Sequence, residues 1–168
     1  QNPDKARSYG VELEFRKKLD VFSALKHFTV QANASYINSR VTDTLFDIDR
    51  RLQGQSPYLI NAGLLYDLDN GFNATLLFNV IGERIYLVGD KSAGAGTPDI
   101  YEAPRPLLDF QVSQKLFKKK GEVRLNVSDI LNRTQYFYQN SDPEKDVHFQ
   151  KNKDAYRFTR KFGTTFSL

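Results

Sequence analysis

The 168 residues carry 24 Lys and Arg against 20 Asp and Glu, a net charge of +4, with 13 Phe, 9 Tyr and no cysteine. Disulfides and thiolate metal sites are therefore excluded, and with no run of about eighteen apolar residues a helical membrane span is excluded too. The one dense cationic run, Lys115, Lys118, Lys119 and Lys120, falls in an expected turn, so a solvated turn is favoured over a nucleic-acid patch.

From the N-terminus, Tyr9, Val11, Leu13 and Phe15 alternate with Gly10, Glu12, Glu14 and Arg16 between Ser8 and Lys18. Successive side chains of an extended chain point to opposite sides, so this is a strand with one oily and one wet face. A short link, Leu19 to His27, leads to a second strand that sets Phe28, Val30, Ala32, Ala34 and Tyr36 against Thr29, Gln31, Asn33 and Ser35. After a polar stretch from Thr42 to Ser56, the third strand lines up Tyr58, Ile60, Ala62, Leu64 and Tyr66. It closes at Asn70-Gly71, a pair expected to supply the positive φ angles of a tight hairpin.

The fourth strand runs from Phe72 to about Ile85, with Ala74, Leu76, Phe78 and Val80 on its apolar side. A connection from Gly89 to Pro106 precedes a fifth strand carrying Leu108, Phe110, Val112 and Leu116. The turn from Phe117 to Gly121 leads into Val123, Leu125 and Val127 of a sixth strand expected to end near Asn132. A polar loop, Arg133 to Ala155, returns to the last stretch, where Tyr156, Phe158, Arg160, Phe162, Thr164, Phe166 and Leu168 share one face.

Strands of soluble domains run about five or six residues, whereas a tilted membrane crossing needs about nine to eleven with apolar side chains outward. Tyr156 to Leu168 is expected as one such crossing. The connections alternate short and long, which matches the short periplasmic turns and long outer loops of a transmembrane barrel. Tyr9, Tyr36, Tyr58, Tyr66 and Phe72 fall at strand ends, as an aromatic girdle requires. The expected fold is all-β, an antiparallel transmembrane β-barrel in the cell outer membrane, contacting its lipid. Seven strands are odd in number, so residues 1–168 are expected to be the C-terminal part of one larger barrel domain. No signal-peptide series opens the chain, although an exported protein needs one, so it is expected to be mature or to lack upstream residues.

Four segments carry a family resemblance: Leu52-Gln53-Gly54-Gln55-Ser56-Pro57-Tyr58-Leu59-Ile60-Asn61, Phe78-Asn79-Val80-Ile81-Gly82-Glu83-Arg84-Ile85, Pro104-Arg105, and Leu125-Asn126-Val127-Ser128-Asp129-Ile130-Leu131-Asn132. Together they resemble the C-terminal barrel of TonB-dependent outer-membrane receptors of the Bacteroidetes type. The resemblance implies about twenty-two strands around an N-terminal plug. It also implies uptake of a scarce nutrient, a metal chelate, vitamin, peptide or glycan, driven by TonB through the plug, with a surface lipoprotein lid as a further partner. Barrel-assembly machinery would read the terminal strand through Tyr156, Phe158, Phe162, Phe166 and Leu168, the leucine standing where the family commonly has an aromatic residue.

No Ser, His and acid series and no raised-carboxylate pair can be argued from strand spacing, so neither an enzyme nor a cofactor is expected. His27 and His148 are assigned to opposite membrane faces and are not expected to share a metal. Asp43, Asp47 and Asp49 lack calcium-loop spacing. Substrate is expected at the outer loops, where Tyr136, Phe137, Tyr138 and Phe149 offer stacking surfaces, while the polar face is expected to line the barrel interior against the plug. Three alternatives stand beside this reading: a passive or adhesive barrel of the same architecture, a barrel fragment serving as an assembly-machinery substrate through its last strand, and a soluble β-sandwich binding module.

Overall fold

The computed structural model describes residues 5–21, 23–44, 48–90, 96–140, 149–150 and 154–168. The strands are β1 (Lys5–Lys18), β2 (Phe28–Asp43), β3 (Ile48–Arg50), β4 (Tyr58–Asp67), β5 (Phe72–Ile81), β6 (Arg84–Leu87), β7 (Ile100–Glu102), β8 (Arg105–Leu116), β9 (Gly121–Ser128), β10 (Gln135–Gln139), β11 (Ala155–Arg160) and β12 (Thr165–Ser167). The main sheet runs in the order β1-β2-β4-β5-β8-β9-β12 with β3 on the end of β2, and a second sheet runs β11-β10-β7-β6. Every ladder is antiparallel.

Register aligns the apolar residues into one continuous face. Val11 pairs with Tyr36, Tyr36 with Tyr58, Ala34 with Ile60, Leu64 with Leu76, Leu76 with Phe110, and Phe110 with Val127. The opposite face aligns Glu14 with Asn33, Asn33 with Asn61, Asn61 with Asn79, and Gln111 with Asn126. A slip of one residue in any ladder would exchange the faces, so the alternation sets the register.

The β4–β5 hairpin turn works differently from its sequence signature. Only Gly71 takes a positive φ, +88°. Asn70 contributes its side chain, accepting the Phe72 N–H at 3.0 Å, and the Gly71 N–H donates to Leu68 O at 3.1 Å. At the neighbouring turn Phe117 and Lys118 both sit at positive φ, 50° and 55°, and tighten the β8–β9 link without glycine.

The second sheet is the same wall carried past an interruption. Ile81 pairs with Arg105 below the break and Arg84 with Glu102 above it, so the β5–β8 register passes into β6–β7 unchanged. The β9–β12 pairing continues as β10–β11 with a small offset, and the strand order repeats. Each of the four strands breaks for a local reason. A Cβ on Gly82 would meet the Tyr58 ring at 2.6 Å, and its N–H is taken by Tyr58 O at 3.0 Å. Pro104 has no N–H to give to a ladder. Asp129 and Asn132 turn through left-handed φ angles of 55° and 44°, and Gly163 takes +83°.

These breaks correct four expectations. Tyr156 to Leu168 is not one continuous strand: β11 belongs to the second sheet and β12 to the first. The fourth strand divides at Gly82 and Glu83, the sixth ends at Ser128, and the connections around residues 89–106 and 133–155 contain β7 and β10. A bulge between the Phe137 and Tyr138 pairings, opposite Phe158 and Tyr156, also interrupts the simple alternation. Two-residue periodicity sees strands but not a coordinated kink across four of them.

Buried apolar side chains gather at this outer level rather than in the long strands. Ile85, Ala103, Phe137 and Tyr138 are buried there, with Val41 at the end of β2. The main sheet leaves its apolar face open, with Val11, Leu13, Ile60, Leu64, Leu76, Leu125 and Phe166 among the exposed residues.

Candidate functional site

On the polar face of the main sheet, a row of short amides and carboxylates crosses β1, β2, β4 and β5. The Asn33 amide donates to Glu12, and the Asn79 amide donates to Asn61. Further along, the Asn126 amide donates to Ser167 Oγ at 3.2 Å. A shallow cleft of about 340 Å³ lies over this row, lined by Glu14, Gln31, Asn33, Asn61, Asn79, Leu77 and Asp109. Cross-strand spacing places these groups within hydrogen-bonding reach of one another, which is what keeps a half-enclosed polar wall ordered.

A larger cavity, about 530 Å³, opens at the other end, between the β2–β3 hairpin and the β6–β7 pair. Its lining includes Asn38, Ser39, Arg40, Asp49, Arg50, Glu83, Asp99, Tyr101 and Asn140. Opposite charges there are matched: Arg50 Nη1 stands 2.9 Å from Asp99 Oδ1, and Arg40 Nη2 stands 2.7 Å from Asp49 Oδ2. The Arg40 guanidinium holds the exposed Asp49 carboxyl below the usual carboxylate range.

Beside this cavity the Tyr138 hydroxyl donates to the Glu83 carboxylate, and Tyr101 lies 5.8 Å away ring to ring. Burial, followed by the Glu83 hydrogen bond, pushes the Tyr138 phenol well above its ordinary value; burial also raises Tyr101. Both hydroxyls are therefore neutral donors at neutral pH rather than general bases. The volume, the paired charges and the Tyr101 phenol suit a polar ligand held by hydrogen bonds. Among the described residues no three His, Cys, Asp or Glu side chains converge for a metal.

The residues proposed from sequence to meet substrate are partly united. Tyr136 stacks on Phe149 at 5.3 Å and Tyr138 lies 4.8 Å from the same ring, so three of the four form one cluster. Phe137 points the other way, stacked on Phe158 at 4.2 Å. The loop placement is corrected: Tyr136, Phe137 and Tyr138 are in β10, and Phe137 and Tyr138 are 1% and 0% exposed, so they form core before they form any binding surface. Among the girdle residues, Tyr66 contacts Phe28 and Phe72 at 4.7 and 6.3 Å at one strand end, while Tyr36 pairs with Tyr58 and Tyr9 lies exposed at the other. Among the terminal-strand residues, Phe166 and Leu168 are 71% and 93% exposed, and Phe162 lies over the Arg105 guanidinium at 5.0 Å, inside the break. Tyr156 pairs through its backbone with Tyr138. His27 Nδ1 lies 3.1 Å from Asp67 O in a turn, and His148 and Asp47 fall outside the described residues.

Residues 1–167 match the outer membrane protein beta-barrel family. The chain belongs to that family. No curated protein and no solved structure matches it. As an outer-membrane β-barrel protein it resides in the outer membrane, where the strands of such a barrel turn apolar side chains outward and polar ones inward. The soluble-sandwich alternative is overturned, because the two sheets continue one wall instead of stacking their apolar faces. Burying a large apolar side chain is worth about 1.5–3 kcal/mol, so a face this open gains stability when hydrocarbon covers it. The barrel is not closed within these residues: β1 and β12 pair on one side only.

Sequence reasoning left three features without a role. The Arg105–Asp129 ion pair, with both side chains nearly nine-tenths buried, pins β8 to the left-handed turn after β9. The Glu83–Tyr138 bond was invisible because its partners lie 55 residues apart. Arg160 did give a signal, as the one charge in the apolar set of the last stretch.

Proposed function

We propose that this chain forms part of the wall and outer mouth of a TonB-dependent transporter that imports a scarce nutrient without catalysis. The reading is carried by the interior row from Glu12 through Asn33, Asn61 and Asn79. Such a row can bind a plug domain through amides and carboxylates. Two unpaired edges after seven strands support a larger barrel, since an open edge in lipid costs several kcal/mol per unsatisfied backbone group. The outer cavity between β2–β3 and β6–β7 is then the first polar site a nutrient meets. TonB acts through the plug, the assembly machinery acts during insertion, and a surface lipoprotein closes over the outer mouth.

The test uses the full-length protein purified in detergent. Its intact mass and its binding to the isolated periplasmic domain of TonB are measured by mass spectrometry and calorimetry. A chain several times longer than this one that binds TonB supports the reading. A full-length protein with no plug domain, or one that fails to bind TonB, sinks it and leaves a passive or adhesive barrel.

A further inference from the structure

On the lipid side of the second sheet, Arg160 sits over three aromatic rings. Its guanidinium carbon lies 5.0 Å from the Phe137 ring centre, 5.3 Å from Phe158 and 5.8 Å from Tyr86. The rings pack on one another, Phe137 on Phe158 at 4.2 Å and Tyr86 on Phe137 at 4.7 Å, so the cage is built rather than transient. One N–H of Arg160 reaches the Tyr86 hydroxyl at 3.3 Å. Among the described residues it has no carboxylate partner, unlike Arg40, Arg50, Arg84, Arg105 and Arg124.

Two placements decide what it meets. Arg160 pairs with Gln135 and Phe158 with Phe137, and Phe137 stands opposite Glu102, which pairs with Arg84. Alternation from Val80 through Gly82 carries Arg84, and with it this set, onto the lipid face. A tilted crossing takes about nine to eleven residues, and β8 runs unbroken through 12 residues from Leu116 at the inner turn to Arg105 at the break, so Arg160 and Phe158, just past the break, stand at the outer interface. There the hydrocarbon ends and phosphate headgroups begin. A permanently charged fork of donors, held flat by rings that leave its edges free, matches a phosphate in geometry and sign.

We propose that Arg160, with Tyr86, Phe137 and Phe158, is a binding site for a phosphate-bearing lipid headgroup of the outer leaflet. The rings orient the guanidinium, its remaining N–H groups hold the phosphate, and the exposed apolar edges contact the acyl chains below. This rests on the outer-membrane residence of the chain and does not depend on transport.

The test is native mass spectrometry of the full-length protein released from detergent with diphosphoryl lipid A, with phosphatidylcholine as the zwitterionic comparison. Lipid A is expected to be retained and phosphatidylcholine lost, and Arg160→Gln should weaken lipid A retention about five- to tenfold. Arg124→Gln, on the interior face, should leave it unchanged, and heat-modifiable gel mobility checks that each variant is folded. Equal retention by folded Arg160→Gln, or full competition by inorganic phosphate alone, overturns the site. An Arg160→Gln variant that does not fold is replaced by Arg160→Lys, whose point charge should retain less lipid A than the wild type; unchanged retention there also overturns it.

Discussion

The Tyr138 hydroxyl donates to the Glu83 carboxylate across the second sheet, joining a residue of the break between β5 and β6 to the core of β10. Both side chains are buried, so the bond links the two halves of the outer extension where water cannot substitute for either partner. Tyr138→Phe removes the donor and leaves a buried carboxylate short of a hydrogen bond. The expected loss is about 1–3 kcal/mol, confined to the outer extension. Protease cleavage of the outer segments should accelerate while heat-modifiable mobility of the barrel is retained; unchanged cleavage would refute the role.

The same bond has a pH signature. Burial and Glu83 raise the Tyr138 phenol, so the neutral hydroxyl is the form the fold stabilises. A group whose folded value is raised contributes fully below its unfolded value, about 10 for tyrosine, and loses that contribution as pH rises beyond it. Protease resistance of the outer extension should hold from neutral pH to about 10 and then fall. Tyr138→Phe should weaken that alkaline dependence, leaving the part contributed by the raised Tyr101 phenol.

Arg105 and Asp129 form a pair that only the folded wall brings together; Asp129 Oδ2 takes the guanidinium, and its buried Oδ1 has no hydrogen-bond partner. Removing one member of a buried pair leaves an uncompensated charge, costing about 3–5 kcal/mol. Arg105→Met should lower the urea midpoint of the full-length protein in lipid vesicles by the corresponding amount. Adding Asp129→Asn should recover part of it, and strict additivity of the two losses would show that they are not coupled.

The face assignment is open to direct labelling. Cysteines introduced at Phe110 and Val112 should react with lipid-phase probes, and one at Gln111 should not, because Phe110 aligns with Leu76 and Val127 while Gln111 aligns with Thr75 and Asn126. Reversed labelling would exchange the two faces.

Phe110→Arg places a charge on the lipid face near the middle of β8, where the cost is about 2–4 kcal/mol. The folded, heat-modifiable fraction should drop. Phe162→Arg should also impair assembly, for a different reason: Phe162 lies over Arg105, and the substitution sets two guanidinium groups against each other. Phe162→Leu, which sets no second guanidinium against Arg105, should assemble normally, and failure of that variant would refute the charge argument.

The first, second, third and fifth of the seven expected strands appear near their sequence ranges, the fourth and seventh are divided and the sixth ends early, and the two faces align as their alternation requires. That much is legible because the side-chain period of two is a local property: Phe110, Gln111 and Val112 announce opposite faces whatever their neighbours are. Outer-membrane residence needs the family match as well, since the same alternation also suits sheets whose apolar faces pack on one another. The interruption at the outer level is a collective event. Gly82 turns against the Tyr58 ring, Asp129 finds Arg105, and Gly163 bends the last strand, each through a contact between residues distant in sequence. Periodicity read along one strand averages over such contacts, so Tyr156 to Leu168 reads as unbroken and Tyr136 to Tyr138 reads as loop. The buried bond of Tyr138 to Glu83 and the aromatic seat of Arg160 exist only once four strands continue past the break together, because pairing across strands, rather than order along them, brings those side chains within reach.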